Sequence, residues 1–466
     1  MDSQTAGGPP QGAQYDVLII GGGQAGIPLA HALHAAGRRV ALAERKHLGG
    51  SCVNFGCTPT KAVLASAGLA AQSRRAAEFG LIGEALKPDL AAVLRRAQGI
   101  AAESRTGLEQ GLSEPDGPVW LHGQARLDGR DGERFRVVID GVTHTADQVV
   151  VNTGTRTALP HIEGLDTVNY IHSGNWLTRP ELPGHLLVVG GGYIGLEMGQ
   201  FYHRMGAEVT VVHGHPEVLD REDADVASAL RALLEGEGLK FALGHGAERV
   251  EATSTGLRLH LKEGGTLEGT HLFLATGRTP NTDDLGLETV GVQLGKGGLM
   301  EVDERLATSV AGLWAAGDVR GGPMFTHTSW DDYRILESQM IGDGRRTTER
   351  IVPYAVFTEP NLGRVGVSER EAREQGLEVK ISRFEMKKDG KAREIGEPEG
   401  FIKVIVDAGS GALLGVAVLA AEGAEIVHSY IDLMNARAPY TVLRDAVHIH
   451  PTLAEAVQSA VKSFDS

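Results

Sequence analysis

The sequence predicts an α/β protein with two Rossmann-like dinucleotide-binding units and a C-terminal α+β block, and three observations predict it. A glycine-rich turn, Gly21-x-Gly23-x-x-Gly26, follows the apolar strand Val17 to Ile20 and opens an Ala/Leu-rich helix. The same pattern recurs at Gly190, Gly192 and Gly195, after a strand from Leu186 to Val189. After about Ile351 the chain changes to strands, a helix and a hairpin turning at Gly409-Ser410-Gly411. With 466 residues, 42% of them hydrophobic, the chain is long enough for roughly two to four well-buried domains.

Residues 1–14 are small, polar and rich in Gly and Pro, without a basic n-region or an apolar h-region, so they read as a flexible tail rather than an export signal. No apolar run approaches the roughly 20 residues that a membrane span needs. The chain is therefore expected to be cytoplasmic and off the membrane. A formal net charge of -15 argues against a nucleic-acid surface, which needs a basic stripe.

In the first unit each glycine has a task. Gly21 makes the tight turn, Gly23 lets a pyrophosphate approach the backbone, and Gly26 lets helix and strand pack closely. The helix N-terminus then faces the phosphates. Glu44 ends the next strand, 18 residues past Gly26, and is placed to bind a ribose diol.

The stretch GGSCVNFGCTPTK, residues 49–61, holds the chain's only two cysteines, Cys52 and Cys57. In a reducing cytoplasm a lone disulfide is seldom structural, so this pair reads as metal-binding or redox-active. Zinc would need about four ligands, and no further Cys or His lies close in sequence. No metal site is expected. Thr58-Pro59 resembles an N-cap followed by a first helical residue, so a helix dipole would favour thiolate nearby.

In the second unit His213 stands 18 residues past Gly195, where the first copy has its acid. Two such units imply two nucleotides, most economically a tightly held flavin, FAD, and an exchangeable NADH or NADPH. The strands VVVNTG and LFLATGRTPN run into Thr-Gly turns at Gly154 and Gly277, as connections between nucleotide domains would. LWAAGD ends on Asp318, which is placed to bind a flavin ribityl hydroxyl or to act as a turn acid. A helix is expected after THTSWDD, its positive end towards the flavin ring. His213 and the nearby His215, if protonated, would attract a 2'-phosphate, so NADPH is expected to gain on NADH as pH falls.

These motifs, together with GGGYIGLE, ATGRTPN and a late HIHPTLAE, occur in the order seen in class I pyridine nucleotide-disulfide oxidoreductases, which the chain resembles from about residue 15 to 463. That group includes dihydrolipoamide dehydrogenase, glutathione reductase and mercuric reductase. The resemblance implies a discontinuous FAD-binding domain (15–155 and 280–350), an NAD(P)-binding domain (156–279) and a dimerisation domain (351–466). It implies a Cys52-Cys57 redox disulfide relaying two electrons from flavin to substrate, with Cys57 as the charge-transfer thiol and Cys52 as the outer thiol. A disulfide closing so small a loop should be readily reduced. Lys61 matches a lysine that pairs with a glutamate near the flavin, and Glu197 matches that glutamate. Tyr193 stands where glutathione reductase has a ring gating the nicotinamide pocket. His450 and Glu455 match a base and the carboxylate orienting it. The family geometry makes a homodimer in which each active site takes its histidine from the other subunit.

The expected function is NAD(P)H:disulfide or dithiol oxidoreduction, with dihydrolipoamide as the default substrate because HPTLAE fits that branch. Mercuric reductases typically carry a vicinal cysteine pair at the C-terminus and a tyrosine in place of His450; this chain ends SFDS and has neither. VPYAVFTEP and APYTVLRDAV nevertheless resemble segments of mercuric-type and reactive-chlorine-resistance flavoproteins, so reduction of a metal ion or an oxidant is the rival reading. A flavin redox sensor without turnover is the rival of another class.

Overall fold

The computed structural model describes residues 12–465. Positions 1–11 of the expected tail lie outside the described residues, and the first strand begins at Gln14. The chain divides into two compact units. One comprises the residues up to Ala62, Arg95–Ala158 and Gly277–Arg350; the other comprises Val63–Leu94, Leu159–Thr276 and everything from Ile351.

The first unit is built on a seven-stranded sheet. Gln14–Ile20 lies in its middle, parallel to Val40–Glu44 on one side and to Val142–Val151 on the other. Val119–His122 and Leu313–Ala315 add further parallel pairings, while Ala125–Asp131 and Arg134–Ile139 form an antiparallel extension. Parallel strands covered on both faces read as continuous apolar runs. Val17, Leu18, Ile19 and Ile20 are accordingly all buried, as are Val149, Val150 and Val151. The helix Gly26–Ala35 packs Leu29, Ala30 and Leu33 into the core on one side of this sheet.

The second unit carries a five-stranded parallel sheet with His185–Val189 between Glu208–His213 and His271–Leu274. Its helix Tyr193–Met205 repeats the strand-turn-helix arrangement of the first unit. A three-stranded antiparallel sheet covers 247–269, and a five-stranded antiparallel sheet runs from Tyr354 to Ala420, its central hairpin formed by Phe401–Asp407 and Leu413–Ala420.

A buried ionic seam joins this last sheet to the helix Ala224–Glu237. Lys403, 3% exposed, lies 3.2 Å from Asp223, 3.0 Å from Asp225 and 2.8 Å from Glu369. Asp223 also accepts the backbone N–H groups of Glu369 and Arg370 at 2.9 and 3.0 Å. Removing an ammonium from water is tolerated here because several carboxylates surround it.

Candidate active site

In the first nucleotide turn the backbone approaches itself so closely that side chains are excluded. Gly21 has φ +110°, and a Cβ there would lie 2.3 Å from the carbonyl oxygen of Asn152; a Cβ on Gly26 would lie 2.3 Å from that of Gly21. Gly22 N–H donates to Glu44 Oε2 (2.9 Å), and Gly26 N–H donates to Asn152 Oδ1 (3.0 Å). Asn152 Nδ2 in turn donates to the carbonyl of Ala316 (2.9 Å), tying the glycine turn to the strand that leads to Asp318. Asn152 was not singled out from the sequence, although an amide at the end of an apolar strand was a visible signal.

Asp318 Oδ2 accepts from Thr155 Oγ1 at 2.9 Å, and Arg278 Nε lies 3.5 Å from the same carboxylate. Gly154 precedes this threonine with φ +65°, and its carbonyl accepts Asn281 N–H at 2.9 Å. The carbonyl of Gly277 accepts Ala158 N–H at 2.9 Å.

The helix expected after THTSWDD begins earlier, at Thr326, so that segment forms its first half. The reason lies in Asp332. The expected boundary leaves this acid outside the helix, but it is fully buried and accepts Gly317 N–H (2.8 Å), two N–H groups of Arg320 (2.8 and 2.9 Å) and one of Arg350 (2.6 Å). Paired in this way, a carboxylate can lie on a helix's buried face.

Cys52 sits in the short helix Gly50–Asn54, and Cys57 opens the long helix Cys57–Arg74. The expected start at Thr58-Pro59 thus moves back: Thr60 N–H donates to the Gly56 carbonyl (3.0 Å), closing the first turn with Cys57 already inside it. Proline is still accommodated, because the first turn's N–H groups have no intrahelical acceptor. Cys57 therefore stands at the positive end of the helix, where thiolate is favoured. The cysteines stand as thiols, Cys52 half-buried and Cys57 exposed. Thr326 Oγ1 lies 3.1 Å from Cys57 Sγ. The neighbouring Cys57, followed by burial, pushes the Cys52 thiol far above its ordinary range, against smaller opposing effects of Thr326 and Lys61.

In the second nucleotide turn Gly190 and Gly195 repeat the close approach, and Gly192 precedes Tyr193, the first residue of its helix. Gly191 N–H donates to His213 Nδ1 at 3.2 Å. Burial, then the neighbouring His215, holds the His213 pKa below its ordinary value, against Asp220 and Glu217. This differs from the expected imidazolium: the ring is half-buried and uses Nδ1 as an acceptor, and both disfavour protonation. Glu197, 3% exposed, accepts Phe357 N–H at 3.0 Å.

Near the C-terminus His450 Nδ1 lies 2.9 and 3.1 Å from the two oxygens of Glu455. Glu455 also forms a capping box with Thr452, which fixes the carboxylate while the imidazole remains 76% exposed. The ring is thus oriented through Nδ1 with Nε2 available for proton transfer.

Two dinucleotide turns, with a dithiol in the same unit as the first of them, define the class of enzymes that pass electrons between a nicotinamide, a flavin and sulfur. The chain belongs to that class. Residues 15–332 match the family described as pyridine nucleotide-disulphide oxidoreductase, and residues 352–461 match its dimerisation domain. It is 32% identical to the probable pyridine nucleotide-disulfide oxidoreductase RclA of Escherichia coli, across 95% of this chain and 98% of that one. It is 33% identical to a dihydrolipoyl dehydrogenase of Cupriavidus necator, with 97% and 98% covered. Among solved structures, the HOCl-induced flavoprotein disulfide reductase RclA from Escherichia coli superposes with a TM-score of 0.87 at 32% identity, covering 96% of this chain and 99% of that one. LpdA from Mycobacterium tuberculosis gives 0.89 at 28% identity, with 97% and 99% covered.

The chain is thus an FAD-dependent pyridine nucleotide-disulfide oxidoreductase that uses NAD(P)H, and its dimerisation domain makes it a homodimer. Its residues fit both nucleotides. Thr328 Oγ1, near the start of the helix that Thr326 opens, and His213 Nε2 are buried polar atoms without a partner in the protein. The Glu44 carboxylate retains lone pairs beyond the N–H groups of Gly22 and Lys46 that it accepts. Among the described residues no helix is long and apolar enough to cross a membrane, and no group of three or more His, Cys, Asp or Glu could hold a metal ion.

Proposed function

We propose that this enzyme moves two electrons between NAD(P)H and a small dithiol or disulfide through Cys52 and Cys57, with dihydrolipoamide as the default substrate. The thiol pair carries this reading, with Cys57 at a helix N-terminus and a hydroxyl 3.1 Å from its sulfur. FAD, when bound, takes a hydride from the nicotinamide and delivers an electron pair to sulfur. Gly21, Gly23, Gly26 and Glu44 hold its adenosine side, with Gly154 and Asp318 on the flavin side. Gly190, Gly192, Tyr193, Gly195, His213 and Gly277 serve the nicotinamide coenzyme. Lys61 and Glu197 are retained as charged groups of the relay on family likeness. The division into domains at 15–155 with 280–350, 156–279 and 351–466 belongs to the same reading.

The sulfur chemistry balances as follows. Two electrons and two protons convert the Cys52-Cys57 disulfide to two thiols. The Cys52 thiolate attacks a substrate disulfide, forming a mixed disulfide and releasing one thiol. The Cys57 thiolate then attacks the Cys52 sulfur of the mixed disulfide and displaces the substrate sulfur, which restores the internal disulfide and releases the second thiol. His450, oriented by Glu455, gives each leaving sulfur its proton, and in the reverse direction takes the proton of an incoming dithiol. We infer that the active site is shared, with His450 of the partner subunit serving each thiol pair, and that the enzyme works in the cytoplasm, where a dithiol is readily kept reduced.

Reduction of a metal ion or an inorganic oxidant is the second reading. It is favoured by the likeness to RclA, which is described as HOCl-induced and has been solved as a Cu(II) complex. A panel of lipoamide, glutathione disulfide, mercuric ion and hypothiocyanite, read by NADH and NADPH oxidation, tests both. Turnover with an organic disulfide supports the first reading, and turnover with the inorganic acceptors alone supports the second. Flavin reduction without turnover on any of them would leave a redox sensor.

A further inference from the structure

The two nucleotide turns share one contact made by chemically different groups. Glu44 Oε2 accepts Gly22 N–H at 2.9 Å, and His213 Nδ1 accepts Gly191 N–H at 3.2 Å. A carboxylate that accepts one hydrogen bond still presents acceptors only. A neutral imidazole has one acceptor nitrogen; with Nδ1 used for the glycine, the proton sits on Nε2, which becomes a donor. That Nε2 is buried and has no partner in the protein. A buried donor left in this state is destabilising, and a ligand acceptor would relieve that cost.

We propose that His213 selects the coenzyme as a neutral hydrogen-bond donor, its Nε2–H reaching the 2'-oxygen of the adenosine ribose whether that oxygen belongs to a hydroxyl or to a phosphate ester. The enzyme then accepts both NADH and NADPH. This inference rests on the reading of the second turn as the coenzyme site. An acid at this position would repel a 2'-phosphate and an arginine would demand one; a neutral donor does neither. The groups acting on the ring are His215, whose ring centroid is 5.2 Å away, Asp220 and Glu217, and burial together with His215 keeps it uncharged. The preference between the coenzymes therefore does not require an imidazolium, and both should bind at about pH 8, well above the 2'-phosphate's own ionisation near 6.

Calorimetric titration of the oxidised holoenzyme with NAD⁺ and NADP⁺, in buffers of different ionisation enthalpy, tests this without turnover. The expected result is binding of both, with no net proton taken up by either. Uptake of about one proton on binding NADP⁺ but not NAD⁺ would overturn the proposal, because His213 would then act as an imidazolium. His213→Gln keeps an acceptor for Gly191 and a donor for the ribose, and should hold the affinity ratio within about threefold. His213→Glu should weaken NADP⁺ by at least about tenfold while retaining NAD⁺. Equal losses of NADP⁺ in both variants would also overturn the proposal. Binding of neither coenzyme to the wild-type protein would remove the coenzyme-site reading itself, an outcome distinguishable from the others.

Discussion

The hydroxyl of Thr326 stands 3.1 Å from the sulfur of Cys57, so two segments 269 residues apart in sequence meet at the redox pair. A hydroxyl next to a thiolate donates to it, and hydrogen bonds to charged groups contribute about 1.5–3 kcal/mol. Thr326→Val, which keeps the shape and removes the donor, should raise the pH at which the thiolate forms by about one to two units. Titration of the ultraviolet thiolate absorbance in the reduced enzyme measures this. An unchanged titration would show that Thr326 only packs against the sulfur.

The ionic seam in the second unit makes a prediction about acid stability. Burial would raise the pKa of Asp223, but the N–H groups of Glu369 and Arg370 and the ammonium of Lys403 outweigh it and hold the carboxyl below its ordinary range. A carboxyl depressed on folding stabilises the fold above its unfolded pKa, near 3.9, and that contribution is lost as pH falls through the lower folded value. Asp223→Asn should therefore destabilise the protein by about 2–3 kcal/mol at pH 7, with Lys403 still paired to Asp225 and Glu369. The gap between the thermal midpoints of variant and wild type should narrow below about pH 4. A gap that stays constant below that pH would mean that charge at Asp223 is not what matters.

The His450-Glu455 pair predicts a selective loss. His450→Ala should lower kcat/KM for a disulfide substrate by about 10²–10³ while flavin reduction by NADH proceeds at the wild-type rate. Glu455→Gln should give a smaller loss, because the ring keeps a hydrogen-bond partner but not a charged one. Heterodimers of Cys52→Ser and His450→Ala chains should recover activity that neither homodimer has, since one site would join intact thiols to His450 of the partner subunit. Verified heterodimers without activity would place His450 in cis or outside the chemistry.

Much of this architecture was legible because its motifs are local. In the turns Gly21-x-Gly23-x-x-Gly26 and Gly190-x-Gly192-x-x-Gly195 the first and last glycines lie where a Cβ would meet a backbone carbonyl oxygen, a requirement that shows in the sequence. The hairpin at 409–411 likewise lies where its turn residues put it. What remained hidden depends on partners distant in sequence. Asp332 looks like a surface acid until Arg320, Arg350 and Gly317 are seen around it. The start of the helix at Thr326 was misplaced for that reason. His213 looked like a pH-responsive cation because its burial and its bond to Gly191 do not show in a linear sequence.

Anaerobic reduction of the enzyme by NADH, followed in the visible spectrum, tests the central claim most directly. The relay through Cys57 and Cys52 predicts that the two-electron-reduced wild-type enzyme shows a long-wavelength thiolate-to-flavin charge-transfer band, that Cys52→Ser retains it, and that Cys57→Ser abolishes it. A Cys57→Ser enzyme with the wild-type band, or two variants whose spectra are indistinguishable from wild type, would contradict the assignment of these cysteines as the electron path.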